Sequence, residues 1–196
     1  MNCCGNKKSD WCSDLPLHYT DEEGRSYCIF HTPEGCKAGI EGPFFNRLIF
    51  ERIRKEAESG QNSCDLSGTV LDWDIKFSDY GASINLGRLN LSGAIFHGEV
   101  SFLSTTVKGD VDFSGATFCK GVDFENTIFN GLCNFKEALF RGMPSYFDTI
   151  FNEFADFSGA SFDKGVFLTW GCFKKGSSFE GAHYGERVIL KRPVVA

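Results

Sequence analysis

Between residues 91 and 140 the chain reads LSGAIFHGEV SFLSTTVKGD VDFSGATFCK GVDFENTIFN GLCNFKEALF, and the placement of its large apolar residues decides the fold. They fall at Phe96, Phe102, Val107, Phe113, Phe118, Phe124, Phe129, Phe135 and Phe140, with gaps alternating between six and five. The pattern continues through Tyr146, Phe151, Phe157, Phe162, Leu168, Phe173, Phe179 and Tyr184, so every second anchor lies 11 residues on without a slip. Two residues before each anchor stands something small or β-branched, as at Ala94, Val100, Thr105, Val111 and Ala116. Neither the 3.6-residue period of a helix nor the two-residue period of a strand fits this spacing. It is the mark of a repeat architecture.

The small position sets the true period. At the five-residue steps it reads Ala94, Thr105, Ala116, Thr127, Ala138, Thr149 and Ala160, so the same chemistry returns every 22 residues. Four anchors per 22 residues make a coil with four sides. Each side is a short extended segment whose anchor and small residue point inward while the residue between them points outward. The six-residue sides carry a glycine beside the corner, among them Gly98, Gly109, Gly121, Gly131 and Gly142, where an extra residue must be turned through.

This stretch resembles the pentapeptide-repeat family, whose unit is a small residue, a polar residue, a central Leu or Phe and two variable residues. The resemblance covers about 120 of 196 residues in its Phe-rich form of alternating five and six. It implies an all-β solenoid, a right-handed quadrilateral β-helix. Leu66, Leu71 and Phe77 fit the pattern, but nine residues separate Phe77 from Leu86, which places a bulge or loop at Asp79–Ala82 in the first coil. Adding Leu66, Leu71, Phe77, Leu86 and Leu91 gives 22 anchors, or five to six coils. At one strand spacing per coil the rod is roughly 25 Å long.

Ahead of the repeats, residues 1–42 form a polar, Gly-containing head rich in Cys and His. The spacing Cys4-x7-Cys12-x15-Cys28-x2-His31 suits a Cys3His zinc site. Cys3 is an alternative to Cys4, and Cys36 or His18 to another ligand. With all four positions filled by protein, such a zinc is structural rather than catalytic. A head ending in a Tyr-Cys-x-Phe-His phrase, here Tyr27 to His31, is similar to one preceding pentapeptide repeats in some prokaryotic proteins, and that resemblance implies metal binding. Residues 43–60 read as a helix: Pro43 opens it, Gly60 closes it, and Phe45, Leu48, Ile49, Ile53 and Ala57 share one face. Its expected work is to cover the open edge of the first coil. Residues 61–184 are the β-helix, and 185–196 a tail in which Val188–Leu190 either fold over the last coil or add an edge strand.

Composition narrows the function. The chain carries 21 Phe and nine Cys with a net charge of −6. From Gln61 to Tyr184 there are 15 acidic and nine basic side chains and no basic stripe, which argues against nucleic-acid binding. No window approaches 18 uninterrupted apolar residues and the N-terminus lacks the regions of a signal peptide, so a cytoplasmic protein without a membrane partner is expected. The clustered cysteines suit a reducing compartment. No nucleophile, phosphate loop or paired acid emerges: His97 and His183 fall on outward positions, and Asp72 and Asp74 border the irregular coil. The reading is a non-enzymatic scaffold or protein-interaction module. The alternatives are an acidic DNA mimic acting on a type II topoisomerase, as the resemblance suggests, and a metal- or redox-responsive regulator. One outward column breaks the polar pattern: Ile128 and Ile150, with Leu132 and Phe154 at the adjoining corner, form an apolar ridge expected to contact a protein partner or a second copy of the chain.

Overall fold

The computed structural model describes residues 3, 11–60, 62–169 and 173–191. The repeats wind into stacked coils with four walls, three of them six-stranded parallel sheets and the fourth four-stranded. Partner strands lie 22 residues apart, as in Thr117 opposite Leu139 and Ile128 opposite Ile150. Earlier the step is 25, with Val70 opposite Ile95 and Ile75 opposite Val100. The excess is absorbed by a 3-10 turn at Phe77–Asp79 followed by Tyr80 and Gly81, where the nine-residue gap in the anchor pattern had placed a loop.

Each anchor stacks on its counterpart one coil away. Phe96, Phe118, Phe140 and Phe162 lie ring on ring at 4.9 Å, within 3° of parallel, and Tyr184 continues the column at 5.4 Å. A second column runs Phe113, Phe135, Phe157, Phe179 at 4.7–5.0 Å. These separations match the roughly 4.8 Å between paired strands, so backbone pairing and ring stacking are met by the same repeat. Between columns the rings meet edge to face, as Phe124 does with Phe135 at 78°. The small inward residues are buried through the middle of the rod, including Ala116, Ala138, Thr105 and Thr127, and half-buried at Ser177 and Ala182 in the last coil. Their alternation has a cause. The Thr127 and Thr149 hydroxyls donate to the carbonyls of Phe102 and Phe124 one coil back, each at 2.7 Å, while the alanine corners carry no such donor.

The five-residue corners are turns closed by an i to i+3 bond, such as Ala116 N–H to Phe113 O at 3.0 Å, and their third residue has positive φ. At the alanine corners that residue is Gly93, Gly115, Gly159 or Gly181, except in one coil, where Glu137 sits at φ 58°. The threonine corners use Ser104, Asn126 and Asp148. Gly131, on a six-residue side, needs no unusual φ. A Cβ there would stand 2.4 Å from the backbone of Gly109, so close approach of coils demands glycine rather than the turn itself. On one wall the outward residue is Asp65, Asn90, Asp112, Asn134, Asp156 in successive coils. Asp112 and Asp156 each accept a backbone N–H two residues on, and Asn134 donates to Asp112 at 3.1 Å.

The two ends differ. Helix α1 (Gly42–Glu58) lies over the first coil, burying Phe45, Ile49, Phe50 and Ile53. Phe45, Ile49 and Ile53 belong to the expected face. Phe50 does not, and it packs edge-on against Phe77 at 5.9 Å. At the other end Val188–Lys191 adds a parallel edge strand beside Val166–Thr169, and no second cap helix is present among the described residues. Two consequences can be measured by denaturant unfolding. Phe124→Ala and Phe135→Ala, in mid-stack, should each cost about 3–5 kcal/mol, whereas Lys136→Ala, pointing outward, should cost less than about 0.5 kcal/mol. Glu137→Gly should stabilise by about 1 kcal/mol, because it relieves a left-handed conformation that disfavours a side chain.

Candidate metal centre

The head begins with an antiparallel hairpin of Leu17–Thr20 and Ser26–Cys28, closed around Asp21, whose carboxylate accepts from the backbone N–H of Glu23 and Arg25 and from the Arg25 guanidinium. Cys28 ends the second strand. The N–H groups of His31 and Thr32 both return to its carbonyl, at 3.1 and 3.0 Å, and the Thr32 hydroxyl adds a third bond at 2.9 Å. That tight turn folds the His31 ring back onto the Cys28 sulfur. Cys12 enters from a preceding turn and Cys3 from the N-terminal segment. Cys3, Cys12, Cys28 and His31 bring four ligand atoms within 4.8 Å of one another. Cys4, the first choice from spacing, lies outside the described residues. Among the described residues Cys36 and His18 do not join the cluster.

The donor geometry fits a metal. His31 Nδ1 stands 3.4 Å from the sulfurs of Cys3 and Cys12 and 3.2 Å from that of Cys28. Tetrahedral zinc, with bonds of about 2.3 Å to sulfur and 2.0–2.1 Å to nitrogen, sets sulfur and nitrogen about 3.6 Å apart. Hydrogen bonding does not account for the arrangement. His31 Nε2 lies 3.0 Å from the Ser67 carbonyl, which can only accept, so Nε2 carries the proton and Nδ1 offers a lone pair. One lone pair accepts one thiol proton, yet three sulfurs converge on it. A cation bound by all four satisfies every donor atom at once. The Cys28 backbone N–H donates to the Cys3 sulfur at 3.2 Å, a contact that stabilises a thiolate.

Electrostatics lead to the same place. Burial, then the repulsion of Cys28 and Cys3, pushes the Cys12 thiol far above its ordinary range. Burial pushes Cys28 up to about 11. The His31 imidazolium is disfavoured chiefly by burial, only partly offset by its bond to Ser67. Without a cation the Cys12 and Cys28 thiols keep their protons. Metal binding must therefore expel protons.

The head is bound to the rod through this site. The Ser67 carbonyl, at a corner of the first coil, also accepts from Trp11 Nε1 at 3.1 Å. Trp11 lies 5.2 Å from the His31 ring and beneath the Arg52 guanidinium of α1, 4.6 Å from its centroid. The N–H of Val70, in the first coil, donates to Phe30 O at 2.7 Å. Lys37, its side chain wholly buried, meets Asp72 at 3.3 Å and donates to the Thr32 carbonyl. Cys12, Cys28 and Phe30 share one hydrophobic cluster with the repeat core. The described part of the head is thus joined to the solenoid by a common core.

Elsewhere, His97 pairs with Glu34 at 3.3 Å, and Asp74 accepts the Glu99 N–H at 2.8 Å. Of the ridge, Ile128 and Ile150 are strand partners and half-buried, while Leu132 and Phe154 are 50% and 40% exposed. Sequence reasoning missed Lys37 with Asp72, and Trp11. Only Trp11, next to Cys12, left a local signal.

A capped, four-walled parallel solenoid carrying a Cys/His cluster at its N-terminal end defines the class. Residues 91–139 match the family model described as pentapeptide repeats (9 copies), and the coils on either side continue the same four-walled solenoid. No curated protein and no solved structure matches the chain.

Elemental analysis of protein purified without added metal should return about one metal ion per chain, and Cys28→Ser should lose it while strand signals persist. In metal-stripped protein the head should lose stability as pH rises from 9 toward about 11. There the unfolded chain gives up the Cys28 proton and the folded one keeps it. An alkaline series of thermal melts, with and without metal, measures the difference.

Proposed function

We propose that the protein is a non-enzymatic interaction module in which a structural zinc locks the Cys/His head onto a rigid pentapeptide-repeat rod. The observation that carries this reading is the convergence of three sulfurs on one imidazole lone pair beside the first coil. Three thiolates and an imidazole favour zinc, and four protein ligands leave no open position for substrate. The rod supports the same reading. Its interior is filled by stacked rings, and its walls repeat structural side chains rather than converging catalytic ones.

The contact surface on this reading is the ridge of Ile128, Leu132, Ile150 and Phe154, facing a protein partner or a second copy of the chain. Two adjoining corner residues there are large, apolar and about half exposed, which suits a contact patch. Many acidic side chains are answered by bases one coil away, Asp112 by Arg88 at 3.0 Å, Glu186 by Lys164 at 2.8 Å and Glu153 by Lys175 at 2.6 Å. That pairing favours a protein partner over mimicry of DNA directed at a topoisomerase. The described cysteines are all free thiols, which suits a reducing cytoplasm. Ile150→Glu with Phe154→Glu should leave the circular dichroism spectrum unchanged and abolish partner capture or self-association. Unchanged partners in pull-down and an unchanged elution volume would remove this surface from consideration.

A further inference from the structure

Beside the metal centre a groove of about 540 Å³ runs between the hairpin and the outer face of α1. Its banks are Leu15, Leu17 and Ile29 on one side and Phe44 and Leu48 on the other, with Phe30 between. Leu17 and Phe44 face it from opposite banks, each 41% exposed, so apolar surface is left open where a fully structural contact would have closed. The volume falls within the roughly 300–1,000 Å³ usual for small-molecule sites.

The α1 rim carries Glu51, Arg52 and Lys55, with His18 on the hairpin bank, and the pairing along the rim is uneven. Glu51 is met by Arg47 at 3.6 Å, and Arg52 by Glu56 at 3.6 Å and by the Trp11 ring. Lys55 lines the same groove and has no ion pair among the described residues. The rim therefore offers one unanswered positive charge beside an apolar trough. An extended peptide laid along such a trough would turn backbone amides against side chains that cannot pair with them. An alkyl chain has no such groups to satisfy. The geometry points to a binding site for a long-chain carboxylate, its hydrocarbon between Leu17 and Phe44 and its head group on Lys55. The metal reading enters only through the bank it helps to build, since Leu15 follows the turn at Cys12 and Ile29 follows Cys28.

Calorimetric titration of the metal-loaded full chain with laurate, and with dodecanol as the uncharged analogue, tests the assignment. The expected result is saturable laurate binding at one site per chain. Lys55→Glu should weaken laurate about tenfold and leave dodecanol within about twofold, as loss and reversal of one half-exposed ion pair implies. Phe44→Asp, at an exposed position that leaves the core intact, should remove both ligands. Metal content is measured on every sample: full metal occupancy without laurate binding overturns this inference alone, whereas absent metal in the wild type overturns the metal reading. Laurate binding indifferent to both substitutions overturns the site. So does an acidic apolar peptide that cross-links to the groove without being displaced by laurate.

Discussion

A parallel coil one strand spacing high must repeat its interior at that same spacing, and aromatic rings stacked with an offset have centroid separations that match it. This constraint organises the whole rod. Columns such as Phe96, Phe118, Phe140 and Phe162 hold 4.9 Å separations because both the backbone ladder and the ring faces ask for it. Four inward columns of large side chains need small residues beside them, which Ala and Thr supply. The tight corners then need positive φ, which Gly, Asn, Ser and Asp supply. Outward positions remain free for asparagine and aspartate to tie corner N–H groups.

A stack built this way has no natural end. Its first coil offers unpaired strands and a bare apolar face of Leu66, Leu71, Ile75 and Phe77, and this chain covers them twice. Helix α1 buries Phe45, Ile49, Phe50 and Ile53 against this end, with Phe50 on the Phe77 ring. Besides the Trp11 bond to Ser67, the head then reaches the first coil with two backbone-directed bonds from the turn after Cys28, His31 to Ser67 and Val70 to Phe30. A metal at Cys3, Cys12, Cys28 and His31 would hold the turn that makes both bonds. On this account the metal contributes to the rod's stability from outside the rod.

The anchors were legible in the sequence because a period of 22 leaves a trace at every fifth and sixth residue. The loop in the first coil was legible as a break in that trace. The reason Thr and Ala alternate was not, since it depends on carbonyls of Phe102 and Phe124 that any residue would present. Gly131 was readable as a corner residue, but its need for close approach to Gly109 exists only between coils. At the metal site, Cys12, Cys28 and His31 could be chosen by spacing. Cys3 and Cys4 are adjacent, and spacing does not distinguish them. Phe50 escaped the helix-face assignment because α1 is packed by the first coil over a wider arc than one amphipathic stripe. The joining of head and rod left almost no trace. It runs through Ser67 O and Phe30 O, and through a Lys37 whose burial is disclosed only by the fold.

X-ray absorption spectroscopy on the protein as purified tests the central claim most directly. The account predicts a zinc edge with a first shell of three sulfurs and one imidazole nitrogen, at about 2.3 and 2.0–2.1 Å. An absent metal, or a shell dominated by oxygen, would contradict it.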